Sequence, residues 1–409
     1  MRARRILYTI LACLLLPIGI LWGFLTRRHR PTLLKRLGLL GWNEVTPDGI
    51  LIHAVSVGEF LAVRKLAQTL QAAYPDLPIT ISTTTLTGQL LAEKGPTDST
   101  YFPVDLPFCV NRFLASLRPR LVLIAETEVW PNFLYALKQR GIPVIMVNGR
   151  LSDSSFASYR KYGGFFSPFL QVFHLILAQS DEDRERFEAL GARQVRAVGN
   201  LKYDFSPPHL SEDSMKLFQT YTLGRKAWAA GSTMPGEDEH VLDIQAFLVA
   251  RGDSTAFLLA PRHPERVPDI IHLCKQRNLT CVRRTEFREG QRPNVVILDT
   301  VGELGALYQF FPVVFIGGSL VPTGGHNIIE PAYFGCDIVV GPHMENFRAM
   351  TEAFLQEKAI VQVGIEDLQE TVVSLLADSG GAGSRARHVV EKSQGALQIT
   401  LDTVAGVLK

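Results

Sequence analysis

The chain opens on a 20-residue run without charge, Ile6 to Leu25, and from residue 50 changes to short apolar stretches alternating with helical periodicity. Ile50 to Ala54 reads as a strand, and Phe60 to Ala73 as a helix with Leu61, Leu66 and Leu70 on its apolar positions. Strands follow at Ile79 to Thr83, Leu121 to Ala125, Val144 to Val147, Leu175 to Ala178 and Val195 to Val198, separated by helices at about 131–140 and 181–190. Leu121 to Ala125 carries no polar residue, the pattern of a parallel strand covered on both faces. Tyr203 to His209, poor in apolar residues and holding Pro207-Pro208, breaks the rhythm and marks a domain boundary. The alternation then restarts. Strands are expected at Ala227–Gly231, Ala256–Ala260, Val295–Leu298, Val313–Ile316 and Asp337–Val340. Helices fit at about 238–250, 265–277, 303–310, 327–334 and 345–356, and again from about 384. The pattern predicts an α/β protein with two Rossmann-like sheets in tandem, with ligands at the carboxyl ends of the strands in a cleft between them. The expected division is 1–30 as a membrane anchor, 31–205 as a first domain and 206–409 as a second.

Length agrees with two domains, since 409 residues exceed what one ordinary core organises. The charge distribution changes the picture more than its sum of +2. Eight of the 42 basic residues (Arg2, Arg4, Arg5, Arg27, Arg28, Arg30, Lys35, Arg36) and none of the 40 acidic ones lie in the first 36 residues. The rest is net acidic, which argues against a nucleic-acid partner. Five scattered cysteines without a CxxC pair argue against a disulfide framework or a zinc site.

A helix over Ile6–Leu25 would span roughly 30 Å of hydrocarbon. The basic residues after it outnumber those before it, which keeps the body of the protein in the cytoplasm. A cleaved signal peptide is the competing reading, but basic residues rather than a small-residue cleavage site follow the run. Pro17 and Gly19 interrupt it, so an anchor lying on the membrane instead of spanning it stays open.

The strongest local signal runs from Gly317 to Pro331. An apolar strand ends in Gly317-Gly318-Ser319, and Gly324-Gly325-His326-Asn327 opens a helix that carries Glu330. Glycines admit a ligand close to the backbone, free amides bind phosphate, and a carboxylate accepts from ribose hydroxyls. A tight strand–turn–helix with a capping Asn would have the same appearance. His53-Ala54-Val55-Ser56-Val57-Gly58-Glu59 puts a carboxylate at the start of a helix past a strand. There it could take a proton from an acceptor hydroxyl, or only complement the helix dipole. Glu126 and Glu128 follow the buried strand 121–125, Arg262 follows 256–260, and Lys202 follows the last first-domain strand. Each has a bland alternative as a dipole complement or a solvated cation. GxxxxGK[ST], HExxH, GxSxG and an evident metal-binding diacid are absent, so the chemistry is expected to need neither metal nor cofactor.

Several motifs in one order make the combination specific. His53 to Glu59, Glu126-Thr127-Glu128-Val129-Trp130-Pro131-Asn132, Asn148-Gly149-Arg150-Leu151-Ser152, Gly199-Asn200-Leu201-Lys202, Pro261-Arg262-His263-Pro264-Glu265-Arg266, Asp299-Thr300-Val301-Gly302-Glu303-Leu304 and the two glycine pairs occur together. The chain resembles the 3-deoxy-D-manno-octulosonic acid (Kdo) transferases of lipopolysaccharide biosynthesis over nearly its whole length, including Lys35-Arg36-Leu37-Gly38. The resemblance implies a GT-B fold and transfer of Kdo from CMP-Kdo to a lipid A precursor, lipid IV-A, at the inner (cytoplasmic) membrane, with inversion and no metal. It makes Glu59 the candidate base. Arg262, Gly317, Gly318, Ser319, Gly324, Gly325, Asn327 and Glu330 become donor-binding candidates, and Ser56, Glu126, Glu128, Lys202 and Ser232 positioning candidates. One departure is Gly231-Ser232-Thr233-Met234, where the family usually ends in His; a thioether cannot replace an imidazole's hydrogen bond or charge. Two other readings share the fold: a nucleotide-sugar epimerase, and an inactive membrane-attached binding or scaffold protein.

Overall fold

The computed structural model describes residues 1–25, 30–42 and 44–408. Arg27 and Arg28, expected to flank the anchor, lie outside the described residues. The chain divides into two compact units, Met1–Asp204 with Ser393–Lys409, and Phe205–Lys392.

The first unit holds strands β1 (Ile50–His53), β2 (Ile79–Thr83), β3 (Asp98–Tyr101), β4 (Leu121–Ala125), β5 (Val144–Gly149), β6 (Leu175–Ala178) and β7 (Val195–Ala197). They form one parallel sheet in the order β3-β2-β1-β4-β5-β6-β7. Alternate residues of β4 serve opposite faces, as the pleat requires. Val122 and Ile124 pack with Phe113, Phe133 and Met146, while Leu121, Leu123 and Ala125 pack with Leu66, Ile145 and Val147. Each of the larger aliphatic and aromatic side chains among them, wholly removed from water, contributes about 1.5–3 kcal/mol relative to exposure. The helix Val57–Ala73 buries Phe60, Val63, Leu66, Ala67 and Leu70. Leu61, expected on that stripe with Leu66 and Leu70, is exposed, because the step of five residues from it to Leu66 turns it about 140° away from the buried face at 3.6 residues per turn.

The second unit repeats the architecture with β8 (Lys226–Thr233), β9 (Thr255–Pro261), β10 (Cys281–Arg283), β11 (Val295–Ile297), β12 (Val313–Ile316), β13 (Asp337–Val340) and β14 (Ile360–Gln362), in the order β10-β11-β9-β8-β12-β13-β14. Its pairings are also parallel. Trp228 stacks on Phe257 at 4.0 Å between centroids and donates to Gln245 Oε1 at 2.9 Å, which satisfies the indole inside the core.

The expected extent of the second domain, 206–409, is wrong at its end. The helix Ala396–Leu408 belongs to the first unit, where Ala396, Thr400 and Val404 are buried against the face that holds Leu66 and Ile145. Asp204 fixes its start, accepting from Gly395 N at 2.8 Å and Leu397 N at 2.7 Å.

The N-terminal run forms a helix, Arg2–Leu25. Among the described residues no helix is long and apolar enough to cross a membrane. Its first half rests on the first unit: Arg5 lies 4.0 Å over the Tyr135 ring, and Thr9 Oγ1 donates to Asn132 Oδ1 at 2.9 Å. Ile6, Leu7, Ile10, Leu11, Leu14 and Leu15 remain exposed.

Candidate active site

In each sheet the strand order reverses at a central pair, β1 beside β4 in the first and β8 beside β12 in the second. Loops leaving such a pair at its carboxyl ends diverge and leave a crevice. Most of the candidate residues follow these four strands.

In the first unit, β1 leads to Ser56, the extended N-cap of helix Val57–Ala73. Its Oγ accepts from Glu59 N at 3.3 Å and donates to Glu59 Oε1 at 2.9 Å, while Glu59 Oε2 accepts from Val55 N at 2.8 Å. The arrangement is a variant of the capping box in which the acid reaches the amide one residue before the cap, so Glu59 has a structural duty. It also has a perturbed proton affinity: burial raises its pKa, opposed by the bonds from Val55 and Ser56, with Glu126 raising it and Lys202 lowering it. Past β4, Glu126 takes a left-handed backbone (φ 53°), a costly conformation for a non-glycine residue, and its Oε1 meets Lys202 Nζ at 3.2 Å. Lys202 is thus an ion-paired neighbour of the carboxylates. Its backbone is fixed by Asn200 Oδ1, which accepts from Lys202 N at 3.0 Å. Burial, followed by the charges of Glu59 and Glu126, pushes Glu128 up to about 7, with the Trp130 indole opposing. Glu59, Glu126, Glu128 and Lys202 are therefore one electrostatic group. Asn148, left-handed at φ 58°, sits at the irregular end of β5, where the register with β6 shifts, and its Oδ1 accepts from Leu201 N at 2.9 Å.

In the second unit, β12 runs into Gly317, where a Cβ would stand 2.5 Å from Thr233 Cα and 2.6 Å from Ser232 O, so only glycine allows the turns after β8 and β12 to approach this closely. Ser232 is itself left-handed (φ 59°), at the register shift between β8 and β9. At Gly324 (φ +93°) a Cβ would stand 2.3 Å from Asn346 Nδ2. The amides of the first glycine turn are occupied from within the protein. Glu237, fully buried, accepts from Gly318 N at 2.7 Å, Ser319 N at 3.0 Å, Leu320 N at 2.8 Å and Met234 N at 2.8 Å. Sequence reasoning passed over Glu237. Its one signal was an acidic residue at a helix start directly after Pro235-Gly236.

Ser319, a donor-binding candidate, is also fully buried. Its hydroxyl donates to Ile316 O and accepts from Gly341 N at 2.8 Å, so the side chain braces β12 against β13 and does not line the loop. The helix expected over 327–334 is shorter, Ile329–Tyr333. Asn327 accepts from Ile329 N at 3.0 Å and donates to Glu330 Oε1 at 3.2 Å, so these two candidates are tied to one another and to their own turn. Arg262 is exposed past β9, its amide bonded to Thr233 O at 2.9 Å. Burial, Arg262 and His263 hold the His326 imidazole down at about 4, so it is neutral at pH 7. Its Nε2 is enclosed without a partner. Met234 is half-buried next to Glu237. Among the described residues no group of three or more His, Cys, Asp or Glu is arranged to hold a metal ion.

Residues 31–205 match the family described as 3-deoxy-D-manno-octulosonic-acid transferase (kdotransferase). Over 395 residues the chain is 34% identical to the 3-deoxy-D-manno-octulosonic acid transferase of Haemophilus influenzae, covering 93% of this chain and 92% of that one. The chain belongs to the Kdo transferase family. The Bordetella pertussis enzyme of the same name is 31% identical over 374 residues, covering 87% of this chain and 86% of that one. The chain is accordingly a glycosyltransferase. Among solved structures, the UDP-GlcNAc 2-epimerase of Neisseria meningitidis superposes with a TM-score of 0.53 at 14% identity, covering 88% of this chain and 100% of that one. At that identity the likeness is one of fold: two parallel-sheet α/β domains of the GT-B type.

Proposed function

We propose that the protein transfers Kdo from CMP-Kdo to a lipid A precursor, lipid IV-A, with inversion at the anomeric carbon and with Glu59 as general base. The observation that carries this reading is the relationship to a Kdo transferase over almost the entire chain. The Glu59 carboxylate takes a proton from a sugar hydroxyl of the acceptor. That oxygen bonds to the Kdo anomeric carbon as the bond from this carbon to the CMP phosphate oxygen breaks, and CMP departs with the electron pair. Burial supports the role of Glu59, because a carboxylate whose pKa is raised is the stronger base. Arg262 and the loop amides of Gly324, His326 and Asn327 balance the charge that develops on the leaving phosphate, the amide of Gly325 being taken by Gly318 O at 2.7 Å. Asn327 and Glu330, already joined, offer acceptors to the nucleoside. The exposed apolar face of helix Arg2–Leu25 supports an anchor lying in the interface of the inner membrane, where the lipid acceptor is concentrated.

Glu59→Gln separates the base from the cap. Glutamine serves at this position of a capping box, so stability should change by less than about 1 kcal/mol, while loss of the base lowers kcat by about 10²–10⁴-fold. The assay is transfer from CMP-Kdo to lipid IV-A, alongside thermal unfolding. A folded variant with wild-type kcat removes Glu59 from the chemistry, and a wild type that transfers nothing removes the reaction.

A further inference from the structure

Glu237 is fully buried and has four backbone N–H groups on its two oxygens: Gly318 and Met234 on Oε2, Ser319 and Leu320 on Oε1. Amides converging on one point form a nest suited to an anion. Here the anion belongs to the protein. Its neighbour Asp238, also buried, accepts from Thr233 Oγ1 at 2.7 Å and pairs with Arg266. Arg266 in turn donates to Thr233 O at 3.1 Å, the carbonyl that also receives Arg262 N at 2.9 Å. Two consecutive acids thus hold three turns together: the one after β12 through Glu237, the one after β9 through Asp238 and Arg266, and the β8 turn through both.

We infer that Glu237 is the positioning residue of the donor site: its carboxylate fills the Gly318–Leu320 amide nest, fixes the shape of the loop, and leaves the nucleotide phosphate to Arg262 and the Gly324–Asn327 segment. The inference rests on the donor reading given above. It explains why the first glycine turn needs an acid 81 residues away in the sequence. It also gives Met234 a part that a thioether can fill, since it is the backbone N–H of residue 234 that is used.

Calorimetric titration of the full-length protein with CMP tests this. In Glu237→Gln one oxygen becomes an NH₂ group that faces two N–H donors, so two bonds turn into repulsions. We expect CMP to bind the wild type and to bind this variant about tenfold more weakly or worse, with the unfolding transition still cooperative. Unchanged affinity in a folded Glu237→Gln, including one of lowered thermal stability, overturns the inference, because it leaves Glu237 a purely structural role. Hydrogen exchange on the wild type supplies an answer even if the variant does not fold. Amides 318–320 should be protected without ligand and unchanged by CMP, with new protection at 324, 326 and 327. Exchange that is fast at 318–320, or that slows there on adding CMP, overturns it too. A wild type that does not bind CMP sinks the donor reading instead, and protection at 318–320 then decides on the Glu237 clamp alone.

Discussion

At the scale of single residues, the first unit brings together three carboxylates and a lysine whose charges act on one another. Lys202 favours the ionised form of Glu59 and also pairs with Glu126, which disfavours it. Lys202→Met removes the cation and leaves Glu126 unpaired, and both changes raise the pKa of Glu59. A base must be ionised to act, so the acid limb of the kcat/KM profile should move to higher pH. A limb that stays, or moves down, contradicts the coupling. Glu128, at about 7, loses its proton in the working range, so the group should titrate in macroscopic steps that belong to no single residue. Glu59, Glu126, Glu128 and Lys202 were all legible in the sequence as acids and a base past strand ends. That they form one group was not, since it depends on β1 and β4 being neighbours. Glu237 was missed because its partners lie across the sheet, and the sequence around Met234-Pro235-Gly236-Glu237 has the look of an ordinary turn. Ser319 was misjudged for the same reason: a serine after a glycine pair reads as ligand-facing, whereas the approach of β13 turns it inward.

At the scale of elements, the apolar runs identified eleven of the fourteen strands among the described residues, and the three unforeseen ones, β3, β10 and β14, all lie at sheet edges. An edge strand is paired on one side only and needs no continuous apolar run; Asp98-Ser99-Thr100-Tyr101 has none. The destination of the last helix was illegible for a different reason. Periodicity reports that Ala396–Leu408 has an apolar face, not which sheet receives it. Val404 is fully buried there, so Val404→Asp, an unpaired charge in an apolar layer, should cost about 3 kcal/mol or more. Hydrogen exchange should then accelerate in β1 and β4 but not in β8 and β9. Equal loss in both sheets would mean that the helix does not stabilise the first unit in particular.

At the scale of the whole molecule, charge and apolar exposure coincide at the amino terminus. Arg2, Arg4 and Arg5 share a helix with the exposed Ile6, Leu7, Ile10, Leu11, Leu14 and Leu15. Attraction to an anionic surface contributes about 1 kcal/mol per base near it and is screened by salt. Co-sedimentation with anionic vesicles should therefore weaken as salt rises, and Leu11→Asp with Leu14→Asp should weaken it further at every salt concentration. Binding that ignores both changes would place the membrane contact elsewhere. The helix Arg2–Leu25 and the helix Ala396–Leu408 stand at opposite ends of the chain yet belong to the same unit. During synthesis the first of them leaves the ribosome before Phe205–Lys392 and the second after it. The first unit must therefore wait, the apolar face that receives Ala396 and Val404 covered only in part by the helix Val57–Ala73, while Phe205–Lys392 is made. The unit that begins earliest is completed last, and in that interval the enzyme is most exposed to aggregation and proteolysis.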